Sequence, residues 1–198
     1  MKTKSDHTKE YILNRVAPIF NKKGYEATSL SDLTKATGLT KGAIYGNFLS
    51  KEDLAIKAFK FNVKRVMNVL TEELSKSDNA IDKLFLLTNY YRVYYDIVLE
   101  YGGCPILNIA SDTNNVNTKL FKEVKLVAKK LEKSLEILIQ EGIINNEIKK
   151  RVNAKLISKN IYSMIEGSIF MAFMHQDKVY ITEMMNHLDE FIKEHLIA

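Results

Sequence analysis

Residues 40–51, TKGAIYGNFLSK, gather two lysines, a phenol, an amide, a capping hydroxyl and two glycines. Lys41 and Lys51 bracket the stretch as candidate phosphate anchors. Thr40 can cap a helix and donate a hydrogen bond. Tyr45, one helical turn after Lys41, can offer its hydroxyl to phosphate and its ring to a thymine methyl. The Asn47 amide can pair in bidentate fashion with an adenine edge, so it is the candidate base reader. A glycine inside a helix costs roughly 1 kcal/mol relative to alanine, and a helix over 40–48 would carry two. Gly42, lacking a Cβ, lets the helix approach a base edge, a phosphate or the preceding helix. For Gly46, room against DNA and room against a neighbouring helix both stay open. The helix N-terminus adds free N–H groups suited to phosphate.

Local sequence supplies the elements that would position these groups. Apolar residues at 12, 13, 16, 19 and 20 predict a helix from Thr8 to Lys23, with a kink near Pro18 and a stop at Gly24. ATSLSDLTKATG predicts a second helix over 28–37, capped by Thr28 or Ser29 and stopped at Gly38. A turn of about three residues then leads into the helix over 40–48. Two helices joined in this way match helix-turn-helix geometry, in which the second enters the major groove. Leu30, Leu33, Leu39, Ile44 and Phe48 form the inward stripe. Ser50 and Asp53 resemble a capping box that opens a long helix over 51–76.

Charge agrees with that placement. Residues 1–60 hold eleven Lys/Arg against six Asp/Glu, whereas residues 61–198 hold eighteen of each. The whole excess of +5 sits in the first third, as expected if that part alone meets a polyanion. Two prolines and eight scattered glycines leave few breakers, and no alternating run appears, so the fold class is all-α. No apolar stretch approaches the roughly 20 residues needed to span a bilayer. The N-terminus lacks a signal-peptide core, so a cytoplasmic location is expected.

GYEATSLSDLTKATGLTKGAIYGNFLSKEDL resembles the DNA-binding region of the TetR family of bacterial transcriptional regulators. The resemblance spans about residues 8–58. It implies DNA contact, mostly to phosphates, through Thr28, Ser29, Thr40, Lys41, Gly42, Tyr45 and Lys51. The chain departs where members often carry His-Tyr before Phe48, having Gly46-Asn47 instead. The resemblance also implies a helical body that binds a small-molecule effector and dimerises through its last two helices. The division expected is a DNA-binding domain over 1–50, with the motif at about 29–48, and a ligand-binding and dimerisation domain over 51–198.

The body can be read independently. Helices are expected over 80–101, from Pro105, over 116–141 with a stop at Gly142, and over 154–175 and 180–196. The 154–175 segment is apolar almost all round between Met164 and Met174, so it must be covered on more than one side. Met164, Gly167, Ser168 and Met171, with Met184, Leu188 and Phe191 of the final helix, form the expected homodimer interface. YYRVYYDIVLEYGG places Tyr90, Tyr91, Tyr94, Tyr95 and Tyr101 on two neighbouring stripes, the expected ligand pocket. Cys104 cannot form an internal disulfide and reads as a small buried residue, a redox role being open. No metal ligands at useful spacing, phosphate loop or nucleophile–base set stands out, so no metal, cofactor or enzyme activity is expected. The reading is a homodimeric repressor that a small-molecule effector releases from double-stranded operator DNA. Two rivals remain: a helix-turn-helix protein whose body is an enzyme, and a DNA binder without effector.

Overall fold

Helix-forming periodicity without strand patterning predicts a helical chain, and the computed structural model describes residues 4–198 as helices and their connections. In order these are α1 (Lys4–Lys23), α2 (Leu30–Thr37), α3 (Lys41–Tyr45), α4 (Lys51–Leu74), α5 (Ala80–Leu99), α6 (Pro105–Thr113), α7 (Thr118–Ile144), α8 (Ala154–His175) and α9 (Val179–Phe191). A π turn, Ile192–Leu196, follows α9, and among the described residues the only β pairing is an isolated bridge between Ile148 and Ile197. The described residues fall into two compact units: those up to Val66 with Leu99–Leu126, and Met67–Val98 with Val127–Ala198. Packing therefore divides the chain differently from a cut at residue 50, because α6 and the start of α7 belong with the helix-turn-helix.

In the first unit α1 begins four residues before the predicted Thr8 and runs through Pro18. It buries Ile12, Val16, Ala17 and Phe20, the stripe expected of a one-faced helix. It ends where Gly24 turns to φ +81° and donates its N–H to the Phe20 carbonyl. The same residue leaves no room for a side chain, since a Cβ there would stand 2.5 Å from an Asp112 carboxylate oxygen. Asp112 uses that closeness to accept the Tyr25 N–H at 2.6 Å. Asn21 donates to the carbonyls of Tyr101 and Gly103, and Asn108 donates to those of Asn21 and Gly102. These amides fix α6 against the end of α1.

In the second unit α5, α8 and α9 share a core. It includes Leu84, Tyr90, Tyr94, Ile161, Ile169, Met185 and Leu188. α8 starts at Asn153, whose side chain accepts the Leu156 N–H, and closes at Gln176 in the left-handed conformation. Two expectations need correction here. α7 does not stop at Gly142 but continues to Ile144. Gly142 is a packing residue, because a Cβ would lie 2.7 Å from Ile148 Cδ1 and 2.8 Å from Ala80 Cβ. The final α-helix stops at Phe191 rather than 196, where backbone bonding widens into the π turn.

Candidate nucleic-acid interface and body cavity

The helix-turn-helix is fixed by local bonds that its sequence specifies. Ser29 caps α2 with a complete capping box: Asp32 N–H donates to Ser29 Oγ, and Ser29 N–H donates to the Asp32 carboxylate. The Asp32 carboxyl is held down at about 2, first by its bond to Lys23 and then by those from Ser29. Gly38 at φ +68° ends α2 and returns its N–H to the Thr34 carbonyl. Thr40 then caps α3 by accepting the Ala43 N–H at 3.2 Å. Ile44 and Phe48 lie in the core beneath, and Lys41, Gly42 and Ala43 face solvent.

α3 is shorter than the predicted 40–48, which changes the meaning of its two glycines. Gly42 lies inside the helix on its open face, where the nearest atom to an added Cβ would be Thr40 Oγ1 at 3.9 Å. Gly46 ends the helix, donating to the Gly42 carbonyl at 2.8 Å. A Cβ at 46 would crowd that same carbonyl oxygen at 3.2 Å. Only Gly42 therefore keeps the role of an approach surface within the helix.

Of the eight predicted DNA-contacting residues, Thr28 needs correction. It is 0 % exposed and its hydroxyl donates to the Gly24 carbonyl, so it holds the turn and presents no surface. Ser29, Thr40, Lys41, Gly42 and Tyr45 lie within the cap and helix just described. Lys51 sits with its ammonium 4.7 Å from the Tyr25 ring centre and donates to the Glu26 carbonyl at 3.3 Å. Two of its three protons remain for a phosphate. Asn47 Nδ2 donates to the Ala43 carbonyl at 3.0 Å, leaving its other N–H and its oxygen for a base edge.

The second unit contains a cavity of about 350 Å³, at the small end of the range for ligand pockets. Its walls come from α4, α5, α7 and α8. The floor is apolar and buried, formed among others by Leu70, Leu87, Tyr91, Leu135 and Ile165. Of the five predicted pocket tyrosines, Tyr91 lines this cavity. Tyr90 and Tyr94 are buried against Tyr91 in edge and tilted ring contacts. Tyr95 stacks on Phe173 at 4.7 Å, and Tyr101, in the first unit, lies under the Arg65 guanidinium. A tyrosine run at helical spacing thus supplies several environments, because successive residues point 100° apart. The leucines of α7 carried no sequence signal of a cavity, since a wall and a core share the same periodicity.

Behind Tyr162, another lining residue, stands Glu166. Its carboxyl is raised from 4.5 to about 7 by burial, an effect that the Tyr162 hydroxyl partly opposes. Oxygen Oε2 of Glu166 is shielded from solvent and accepts no hydrogen bond.

The expected dimer residues divide in two. Gly167 is exposed with open space beyond it, and Met164, Met171, Met184 and Phe191 are half-buried. Ser168 and Leu188, at 4 % and 0 % exposure, need correction: they belong to the core of their own chain, and no partner could reach them. Phe170 and Met174, at 52 % and 55 %, carry the exposed apolar surface of the C-terminal half of α8 instead, and Leu156 that of its start.

Comparison with known proteins matches two stretches of the chain separately. Residues 12–58 match the family model described as bacterial regulatory proteins, tetR family, and residues 80–188 match the tetracyclin repressor-like C-terminal domain. The chain belongs to the TetR family. An uncharacterised HTH-type transcriptional regulator of Bacillus subtilis, YxaF, is 28% identical over 177 residues, covering 89% of this chain and 90% of that protein. A TetR-family regulator from Cytophaga hutchinsonii superposes with a TM-score of 0.91 at 31% identity, over 100% of this chain and 99% of that one. The regulator FadR from Bacillus subtilis, solved with stearoyl-CoA, shares the fold at a TM-score of 0.75 and 21% identity, over 93% and 97% of the two chains. Membership in the TetR family makes the α2–α3 pair a DNA-binding helix-turn-helix and the protein a transcription regulator.

Proposed function

We propose that this TetR-family protein is a homodimeric repressor, working in the cytoplasm, that leaves its operator when a small molecule enters the body cavity. The observation that carries the ligand half is the cavity itself: a 350 Å³ apolar space, open at one side, in the unit without the helix-turn-helix. A protein that only bound DNA would gain by filling it, since unfilled apolar volume lowers stability. The solved FadR–stearoyl-CoA complex supports the reading to the extent that the same fold can hold an apolar guest. The exposed apolar residues of α8, Phe170 and Met174, support a two-fold pairing. Asn47 then reads a base edge from the end of α3, Lys41 and Lys51 anchor phosphates, and Ser29, Thr40, Gly42 and Tyr45 contact DNA beside them.

Sequencing DNA selected from random oligonucleotides should return an inverted repeat, as two copies related by a dyad require. Gly167→Glu should leave the monomer folded, because a Cβ there would meet nothing within 4 Å and the position is exposed, yet give a monomer in sedimentation. A stable dimer from that variant would remove the proposed pairing face. Leu138→Trp, which fills the cavity from α7, should abolish ligand-induced release and preserve operator binding. Unchanged release would place the effector elsewhere.

A further inference from the structure

We infer that the body cavity takes a monoanionic amphiphile, an apolar chain ending in a carboxylate, with Lys83 at the mouth holding the head. The inference rests on reading this cavity as the effector site and names the class of effector. Thr71, Ser75 and Ser134 are exposed and mark the open side, whereas the floor is leucine, isoleucine and the Tyr91 ring. A guest must therefore be apolar at one end and tolerate water at the other.

Lys83 sets the sign of the head. It is the one charged side chain among the lining residues, and no carboxylate lines the space with it. Its ammonium makes no hydrogen bond or ion pair among the described residues. The lysines at 57, 60, 76, 119, 133 and 178 each sit on a carboxylate instead. The mouth hydroxyls do not compete for an anion. Thr71, Ser75 and Ser134 donate to the Met67, Glu72 and Lys130 carbonyls of their own helices. Lys83 thus carries the protons that remain for a guest at the mouth.

Geometry sets the tail. Lys83, Leu87 and Tyr91 recur every fourth residue on one face of α5. At 1.5 Å per residue the wall from mouth to floor runs about 12 Å. That length suits a medium chain lying along α5. A contrary pull comes from Glu166 behind Tyr162, which would favour a cation if its carboxyl reached the guest.

Calorimetric titration of the full-length protein, without DNA, decides among heads on one tail: decanoate, decan-1-ol and decyltrimethylammonium. Decanoate should bind tenfold or more tightly than the alcohol, since a hydrogen bond to a charged group is worth about 1.5–3 kcal/mol. The cation should bind weakest. Shortening to octanoate should cost about fourfold per methylene removed. Lys83→Gln, a half-exposed substitution, should bring decanoate to the level of decanol and leave decanol unchanged. Equal binding of alcohol and acid, or a Lys83→Gln variant that still prefers the acid, overturns the inference. Preference for the cation overturns it in favour of Glu166. If none of the three binds, this inference falls alone. The effector reading falls only if Leu138→Trp leaves release by an active compound unchanged.

Discussion

The unit that holds the helix-turn-helix buries Asn21, Thr28, Thr37, Asn62, Thr113 and Asn117, and several of their bonds reach across long stretches of sequence. Asn62 donates to the Ala17 carbonyl and Asn21 to those of Tyr101 and Gly103. The other unit buries Thr88, Ser158 and Ser168; the two serines donate only to carbonyls three residues earlier, and Thr88 alone of the three reaches a distant partner, the Asp189 carboxylate. Although Oδ1 of both Asn21 and Asn62 is buried without a partner, each Nδ2 bonded to a distant carbonyl permits one spacing and would be unmet at any other. Leucine walls make no such demand and accept volume-conserving changes of shape at modest cost. The difference teaches that the DNA-reading unit is built for one geometry and the body, away from the Thr88–Asp189–Arg92 bonds between α5 and α9, for adjustment.

The largest expected effect strikes the rigid unit. Ile44 is 0 % exposed and seats α3 on its neighbours. Ile44→Ala should lower stability by about 2–5 kcal/mol, read by denaturant unfolding. Operator affinity should fall with it, while ligand titration of the body stays measurable below the unfolding transition. Loss of ligand binding in step with DNA binding would mean that the two units do not differ as described.

Glu166 is a second exception in the body and sharpens the contrast. Below pH 4.5 its carboxyl is protonated both folded and unfolded. Between 4.5 and about 7 the unfolded chain releases the proton and the folded one keeps it, so stability falls as pH rises across that window. The full penalty, roughly 3 kcal/mol, is present above the upper limit. Glu166→Gln should remove it, flattening that part of the pH profile and raising the unfolding midpoint at pH 8. An unchanged profile would show that the carboxyl finds a partner the single chain does not supply.

Gly142 tests whether the body is tight outside the cavity. An alanine there would gain about 1 kcal/mol of helix propensity but meet Ile148 and Ala80 below 3 Å. Overpacking of this kind costs about 1–3 kcal/mol, so Gly142→Ala should be destabilising in thermal melts. A more stable variant would mean that this region yields as readily as the cavity wall.

These positions also show what a sequence can and cannot reveal. The helix start at Thr28 or Ser29, the stop at Gly38 and the cap at Thr40 are local, and each is legible because its partners lie within four residues. Gly142 resembles a helix stop because a stop and a close approach both ask for glycine. Thr28 resembles a DNA-facing cap because its burial depends on Gly24 and the turn that follows it. Lys83 gives no signal at all. Its meaning lies in the carboxylates that are missing around it, on helices dozens of residues away.

The smallest expected effect concerns the residue where the chain departs from its family's pattern. Asn47 closes the end of α3 by donating to the Ala43 carbonyl, a bond worth about 1 kcal/mol. One N–H and the side-chain oxygen remain, enough for a bidentate pair with adenine only if the amide turns while keeping its helix bond. Asn47→Ala should therefore relax preference at one base in each half-site by no more than about 1–3 kcal/mol. The salt dependence should stay almost unchanged, because the same phosphates remain neutralised. Lys51→Ala provides the control within the same unit. It should weaken binding to all sequences alike and shallow the salt slope by about 0.9 for each phosphate left without its lysine, twice in a dimer. If Asn47→Ala flattens the slope and keeps the preferred sequence, the amide binds a phosphate. If it changes neither but lowers the melting temperature, Asn47 serves α3 alone, and the base-reading role passes to another side chain of this short helix.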